Sequence, residues 1–224
     1  MTAISSTEPD EGVRALPAGT PWTRAAALTG VLFVVLVVPG VLLSMGSPSD
    51  KATAPTIAHY YVTHKGRVGG AGLLVMLSVI VGVGFFVYLR SYFRRITGRD
   101  WLSTLFFTGA VLFAISGAVG AGINLALSDK PNTLPAQSLQ LLNNLGQNLN
   151  WPLTCGGLGL VYIALGIIVV RTRILPAWVG WLSWLMALLS ATFFLAFIPF
   201  IAVPLWVLPV SIRLAMSNPG VADA

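Results

Sequence analysis

Asp, Glu, Lys and Arg are absent from five long stretches of this chain. An apolar run of about 18 or more residues can cross the ~30 Å hydrocarbon core of a bilayer as an α-helix. Because each stretch contains a run of about that length, the sequence predicts an all-α integral membrane protein. The charge-free stretches are Ala25–Ser49, Val68–Leu89, Trp101–Ser128, the second half of Pro131–Val170, and Ile174–Ile212.

The final charge-free stretch is long enough for two crossings. It contains about 39 residues, nearly twice what a single span requires. We predict two antiparallel spans there, Ala177–Phe197 and Phe200–Met216, joined by a tight turn near Pro199. Pro204 and Pro209 then lie inside the last span. The predicted fold is a polytopic transmembrane helix bundle of six spans, or of five if this stretch crosses once. The other four predicted spans are Ala25–Met45, Val68–Leu89, Trp101–Leu127 and Trp151–Val170.

Basic residues predict the orientation of the bundle. With six spans and the N-terminus inside, 9 of the 13 Lys and Arg residues face the cytoplasm and 4 face outside, as the positive-inside rule requires. We therefore predict a multi-pass protein of the bacterial inner membrane with both termini in the cytoplasm. Residues 1–24 are predicted to form a disordered cytoplasmic tail, residues 25–216 the bundle, and residues 217–224 a second cytoplasmic tail.

Composition predicts no separate soluble domain in this sequence and argues against nucleic acid as a partner. The chain is 56% hydrophobic and 9% charged, whereas about a quarter of the residues in soluble domains are charged. Its net charge of +6 is explained by the basic residues that collect at the cytoplasmic loop ends of membrane proteins. The lipid bilayer is therefore the first predicted partner.

The predicted spans lack the residues on which membrane enzymes and proton-coupled transporters depend. Apart from Arg213 at the end of the last one, none contains Asp, Glu, Lys, Arg or His, and such groups mark catalysis and ion paths inside membranes. Cys155 is the single cysteine, so it has no partner for a disulfide or a cysteine metal site. We predict no catalytic residue, no cofactor and no metal, and hence a protein that is not an enzyme.

Two histidines, His59 and His64, lie in the first outer connection within the sequence HYYVTH. Two metal-binding side chains on one helix need i+3 or i+4 spacing to share a face. The i+5 spacing here places the two rings well apart, and Asp50 is the only carboxylate nearby. We interpret this segment as a solvated outer helix.

The second outer connection is rich in Asn and Gln. Its leucines recur at helical spacing as an apolar stripe that can lie on the membrane surface, and amides in a partly dry site can orient a neutral ligand. We therefore predict two short extracytoplasmic helical caps, one in each outer connection, with a ligand site at the second. The alternative is an amphipathic lid whose polar face is only solvated. The predicted ligand-binding residues are Gln140, Asn144, Gln147 and Asn148 of this segment and Asn124 of the third span.

Small residues dominate the second, third and fourth spans. Patterns such as Ser116-xxx-Gly120 and Ala118-xxx-Gly122 let helix backbones approach closely, either within the bundle or between two copies of the chain. The segments Gly69–Val75 and Gly156–Tyr162 resemble each other, and the tripeptide Ser-Asp-Lys occurs upstream of each. This likeness indicates either a duplicated hairpin with an outer helix or chance similarity between apolar sequences.

The run LPAWVGWL at Leu175–Leu182, which follows Arg171 and Arg173, resembles a phrase in uncharacterised six-span bacterial membrane proteins that are grouped as domains of unknown function. The Ser-Asp-Lys segment followed by a tyrosine-bearing outer helix is similar to that group too. The resemblance implies a six-helix integral membrane protein, and it brings no activity, cofactor or binding residue with it.

Two functions compete at this stage. The first is a non-enzymatic inner-membrane protein that acts as an accessory or scaffold subunit, or that binds a neutral lipid-like or apolar small molecule in an outward pocket. Its partners are then the bilayer, a second membrane protein or such a ligand. The second is a small transporter or channel. The internal likeness and the prolines of the last span favour it, because discontinuous helices often line substrate sites.

Overall fold

The computed structural model describes residues 21–129, 131–173, 175–192 and 195–216. Within these residues the chain forms eight α-helices and no β-strand, so the prediction of an all-α fold is confirmed. The helices are α1 (Pro21–Ser44), α2 (Ala54–Thr63), α3 (Lys65–Thr97), α4 (Asp100–Asp129), α5 (Ala136–Asn148), α6 (Asn150–Thr172), α7 (Ala177–Ala191) and α8 (Phe197–Met216).

Five segments of the described chain are long and apolar enough to cross a membrane. They are Arg24–Ser44 of α1, all of α3, all of α4, the segment Ala136–Thr172 that holds α5 and α6, and α8. The apolar helix α7 is shorter, with 15 residues. By the length and composition of its helices, the chain is a polytopic membrane protein.

The long helices and α7 alternate in direction along the chain. Gly40, near the end of α1, lies against Val75 in the first half of α3, so these two helices are antiparallel. Helix α8 returns along α1, with Ser211 beside Gly30. The bundle therefore has two distinct ends. The contacts that establish the same relation for the remaining neighbours are Gly72 with Leu125, Ser116 with Thr154, and Gly166 with Trp184.

One end of the bundle carries most of the arginines, and we call it the arginine-rich end. There Arg90 and Arg94 of α3 each lie 3.7 Å from a carboxylate oxygen of Asp100, the first residue of α4. Arg90 also donates a hydrogen bond of 3.3 Å to the Thr104 hydroxyl. Because these side chains are well exposed, the ion pairs add little to stability. The arginines at this end are Arg24, Arg90, Arg94, Arg95, Arg99, Arg171, Arg173 and Arg213.

The opposite end, the cap end, carries α2 and α5. Each predicted outer connection thus contains a short helix. The two helices are joined to the bundle by a small apolar cluster in which Tyr61 and Ile57 of α2 and Leu139 of α5 are almost fully buried. Arg67, near the start of α3, also donates hydrogen bonds to the carbonyls of Leu43 at 2.8 Å and Met45 at 2.6 Å. It thereby satisfies carbonyls that the end of α1 leaves without helical partners.

The final charge-free stretch forms two helices, as predicted, but their boundary differs from the prediction. Helix α7 ends at Ala191 and α8 begins at Phe197, so Pro199 lies in the first turn of α8 rather than in the connection. Proline is favoured in a first turn because the N–H groups there have no partner within the helix. Helix α8 continues past both Pro204 and Pro209.

The predicted tails are only partly covered by the described residues. Helix α1 starts at Pro21, within the predicted N-terminal tail. Residues 1–20 and 217–224 lie outside the described residues, so the prediction of two cytoplasmic tails stays a prediction.

The interior toward the arginine-rich end is filled by aromatic rings. Phe106 of α4 is fully buried and packs edge-on against Phe86 and Phe93 of α3 and Trp206 of α8, with centroid distances of 6.1, 5.0 and 6.5 Å. Phe33 of α1 adds a further edge contact to Phe86 at 5.9 Å. Edge-to-face pairs contribute beyond simple burial. We call these rings the aromatic core.

Helices α4 and α6 approach closely at two glycines. A Cβ added to Gly157 would lie 2.6 Å from the Phe113 nitrogen and 2.8 Å from the Gly109 oxygen. A Cβ added to Gly109 would lie 2.7 Å from the Gly157 oxygen. Backbone atoms cannot move aside as the end of a side chain can, so this crossing needs glycine on both helices.

Candidate functional site

Two adjoining cavities lie toward the cap end of the bundle. The first, which we call the inner chamber, has a volume of about 190 Å³ and lies among α1, α3, α4, α6 and α8. The second, the vestibule, has a volume of about 310 Å³ and lies beneath the caps, where it is bounded by Tyr61, Asn143, Gly146 and Gln147. The residues that line both cavities are Ser44, Ser47, Gly120, Asn124 and Asn150.

The inner chamber exists because small residues face it. Gly72, Gly117, Gly120 and Ala121 form part of its wall, and a Cβ on Gly117 would meet only ordinary contacts with Val79 and Val75. Larger rings bound it, among them Phe33, Phe86, Phe113 and Phe200. An apolar cavity of about 150 Å³ in another protein binds benzene. The chamber therefore has the size of a single ring or a short alkyl segment.

Neither cavity is lined by a charged residue. Among the described residues, the two linings contain no Asp, Glu, Lys, Arg or His. A charged ligand would leave water without an opposite charge to compensate it, which is costly in a low-dielectric site. The linings therefore favour an uncharged ligand.

The hydroxyl groups of the inner chamber donate their protons to the protein itself. Ser78 donates to the Val75 carbonyl at 2.7 Å, and Ser44 donates to the Gly40 carbonyl at 2.9 Å. Ser116 and Thr154 lie 2.8 Å apart and also contact the carbonyls of Phe113 and Asn150, at 2.7 and 3.0 Å. Since a hydroxyl has one proton and two lone pairs, these groups have only lone pairs left for a ligand.

Tyr61 fixes the orientation of the Asn124 amide at the boundary of the two cavities. The Tyr61 hydroxyl donates a hydrogen bond of 2.8 Å to Asn124 Oδ1. Burial raises the pKa of Tyr61 to about 12, with a smaller contribution from Tyr60, so the phenol keeps the proton that it donates to Asn124 Oδ1. Asn124 Oδ1 is thereby occupied, and the Asn124 Nδ2 group has no hydrogen-bond partner among the described residues.

Asn150, the first residue of α6, places a second amide at the same boundary. Its Oδ1 is buried and accepts no hydrogen bond from any described residue. Its side chain lies against Gly120 of α4, where an added Cβ would come within 2.7 Å of Asn150 Nδ2. Gly120 therefore makes room for this amide, and an unsatisfied buried oxygen needs a donor from water or a ligand.

The structure brings together two of the five ligand-binding residues predicted from sequence. Asn124 lines both cavities and Gln147 lines the vestibule. Gln140 and Asn148 are exposed, and neither they nor Asn144 lines either cavity. Asn148 instead donates a hydrogen bond of 3.0 Å to the Asn144 carbonyl.

Sequence reasoning missed Tyr61, Asn143 and Asn150 as cavity residues. Asn143 is almost fully buried and donates a hydrogen bond of 2.9 Å to the Ser49 carbonyl, which holds α5 over the vestibule. The helical spacing of Leu139, Asn143, Gly146 and Asn150 was the available signal, because i, i+4, i+7 and i+11 share one face. No such local signal marks Tyr61, which reaches Asn124 from a separate helix.

The two histidines are apart from the cavities. His59 is exposed, while His64 stacks on Tyr60 with ring centroids 4.6 Å apart. Over the described ranges, no three His, Cys, Asp or Glu side chains come together in a way that could hold a metal ion. The geometry offers hydrogen bonds and apolar surface for binding.

Comparison with known proteins finds no match to any family model, curated protein or solved structure. The resemblance of Leu175–Leu182 to six-span bacterial membrane proteins therefore stays a prediction.

Proposed function

We propose that this protein binds a small uncharged ligand with an apolar body in the inner chamber, and that the ligand enters through the vestibule. The observation that carries the proposal is the adjoining pair of cavities, which has small apolar walls, no charged lining residue and two amides at the boundary. The two amides lie where the chamber meets the vestibule, so the ligand is oriented with its polar atoms toward the vestibule. The activity is binding rather than catalysis.

The proposed location is the inner membrane of a bacterium, with the arginine-rich end in the cytoplasm. Six crossings by α1, α3, α4, α6, α7 and α8 would place both termini on that side, since these helices alternate in direction. The clustering of arginines at one end supports this orientation through the positive-inside rule. The cavities then open toward the extracytoplasmic face. A scaffold subunit would not need them, so they favour a ligand-binding role over a purely structural one.

Filling the chamber tests the proposal. Gly117→Leu places a side chain in the inner chamber, whereas Gly122→Leu is a matched control on the same helix, at an exposed position with open space around its Cβ. The purified protein in lipid nanodiscs is photolabelled with a diazirine derivative of benzyl alcohol, and labelled residues are mapped by mass spectrometry.

We expect labels on chamber residues of α3 and α4 in the wild type and in Gly122→Leu, and at least a tenfold loss of those labels in Gly117→Leu. Labelling confined to lipid-facing residues, or equal in both variants, contradicts the proposal.

A small transporter is the second candidate, because the cavities lie at one end while the aromatic core fills the other. Transport requires a second state that opens at the arginine-rich end, where Phe33, Phe86 and Phe106 would have to separate. The continuity of α8 past Pro204 and Pro209 removes the broken helix that favoured this function in the sequence.

Benzyl alcohol analogues pass through lipid without a protein, so their uptake into proteoliposomes does not measure transport. A membrane-impermeant neutral polyol is the better flux probe. Protein-dependent flux would support transport over binding alone.

A further inference from the structure

The inner chamber and its boundary carry information on the chemistry of the ligand, provided that the proposed binding function holds. We propose that the ligand bears an uncharged hydroxyl group, which accepts a hydrogen bond from Asn124 Nδ2 and donates its proton to an oxygen of the chamber. The site is therefore selective for alcohols over hydrocarbons and ethers of the same size.

The inner chamber presents hydrogen-bond acceptors to a ligand. The hydroxyls of Ser78, Ser116 and Thr154 direct their protons to helix carbonyls or to each other. Their remaining capacity is to accept. Asn150 adds a buried Oδ1 that receives no proton from a described residue. A ligand with a proton to donate thus gains a bond in the chamber that a hydrocarbon or an ether cannot make.

Asn124 supplies the hydrogen-bond donor at the boundary of the cavities. Asn and Gln amides can in principle rotate by half a turn and exchange their oxygen and nitrogen. At Asn124 the amide lies with Oδ1 toward Tyr61, whose hydroxyl donates to it at 2.8 Å. The amide nitrogen is then the group that Asn124 presents to the cavities. A ligand oxygen at the boundary gains a bond from it.

The described lining suits an uncharged group better than an ion. A carboxylate could accept from Asn124, and an ammonium could donate to the chamber oxygens, but neither would meet an opposite charge in the described lining. A hydroxyl both donates and accepts without charge. A hydroxyl is therefore the smallest common group that can bond both to the Asn124 donor and to the acceptors of the chamber.

Three probes of equal heavy-atom count test the inference. Benzyl alcohol donates and accepts, anisole only accepts, and ethylbenzene does neither. Each competes with the photoreactive benzyl alcohol derivative for labelling of the full-length protein in nanodiscs. The concentration of each probe in the bilayer is measured by headspace chromatography, so that competition is expressed against the dissolved concentration rather than against partitioning.

In the wild type we expect benzyl alcohol to compete roughly 30-fold better than ethylbenzene, as two net neutral hydrogen bonds allow. Anisole should fall between the two, because it can use only the Asn124 donor. Asn124→Leu should remove the preference for anisole over ethylbenzene. Tyr61 acts as a positioning residue, so Tyr61→Phe should weaken that same preference, whereas a general structural defect would weaken all three probes equally.

Tyr60→Phe is the matched control, because it removes the adjacent hydroxyl, which is buried and has no partner among the described residues. The three probes should keep their wild-type ranking in this variant. Equal competition by the three probes, with all of it lost in Gly117→Leu, would overturn the hydroxyl inference and leave the binding function standing. Absence of competition by every probe, with labelling unaffected by Gly117→Leu, would overturn both.

Discussion

The two halves of this bundle are built from the same helices but are filled in different ways. Toward the arginine-rich end, the aromatic core occupies the space between α1, α3, α4 and α8. Toward the cap end, α3 and α4 present Gly, Ala and Ser to the centre and leave the inner chamber. Side-chain size thus changes along α3 and α4, and one half is closed while the other is open.

The difference between the two halves shows that a cavity can form while the helices stay in contact. Helices α4 and α6 remain in backbone contact at Gly109 and Gly157, between the aromatic core and the vestibule. The chamber therefore results from missing side-chain volume rather than from a displaced helix. Such a cavity is preformed, and a ligand that enters it does not have to bear the cost of opening the bundle.

Removal of a ring from the closed half should produce the largest loss of stability. Phe106→Ala is expected to lower the free energy of unfolding by about 3 kcal/mol, the low end for a buried ring in a soluble core. The low end applies because lipid already surrounds apolar groups in the unfolded state, so the loss is one of packing. Unfolding in mixed micelles titrated with dodecyl sulfate measures the change. Ile80→Ala, at a position on the outside of the bundle that is 70% exposed, should cost far less, and equal losses would contradict a packed closed half.

The crossing between the halves should tolerate no added methyl group. Gly157→Ala forces the α4 backbone away and is expected to cost about 2 kcal/mol. Its neighbour Gly156 has open space around its Cβ, so Gly156→Ala should be neutral or slightly stabilising because alanine favours helix. The same unfolding titration compares them. A larger loss for Gly156→Ala would mean that the helices do not cross as described.

In the open half, the attachment of α5 should depend on a polar contact, and its loss should lower stability least among the three variants. Asn143→Ala removes the bond to the Ser49 carbonyl and should cost about 1 kcal/mol, seen as roughly fivefold faster hydrogen exchange of the α5 amides. Asn148→Ala, on the exposed face of α5, should leave exchange elsewhere in α5 close to that of the wild type. Indistinguishable exchange in the two variants would show that the cap is held by its apolar cluster alone.

The amides of α5 show where prediction from sequence stopped. The leucine spacing correctly indicated a helix, but it did not identify the amide that is most buried, since Gln140, Asn144, Gln147 and Asn148 were predicted and Asn143 was not. Leu145 and Leu149 are 40% and 49% exposed, whereas Asn143 is 2% exposed. In water an apolar stripe would turn inward, but beside a membrane it can face lipid while amides turn to a polar cavity. Hydropathy alone cannot distinguish these two apolar surroundings.

Glycines in two similar segments also differ in their surroundings. Gly69–Val75 and Gly156–Tyr162 look alike in sequence, yet Gly70 has open space around its Cβ and Gly157 touches the α4 backbone. Similar local sequence therefore does not produce similar packing. Whether the two segments descend from one hairpin stays open, although each is the start of a long helix that follows a short cap helix.

Charge and hydropathy determined, without coordinates, that the chain is all-α, where its apolar helices lie, and that no charged group lies deep within the predicted spans. These properties follow from the free-energy cost of placing unpaired backbone groups and charges in hydrocarbon. Each segment avoids that cost independently of the others, because it forms its own helical hydrogen bonds and contains no charged residue deep within it. Only tertiary structure decided which amides meet at the cavities and that Tyr61 sets the orientation of Asn124. Those relations join helices far apart in the chain, and they depend on side-chain directions around each helix axis, for which a uniformly apolar sequence carries almost no signal.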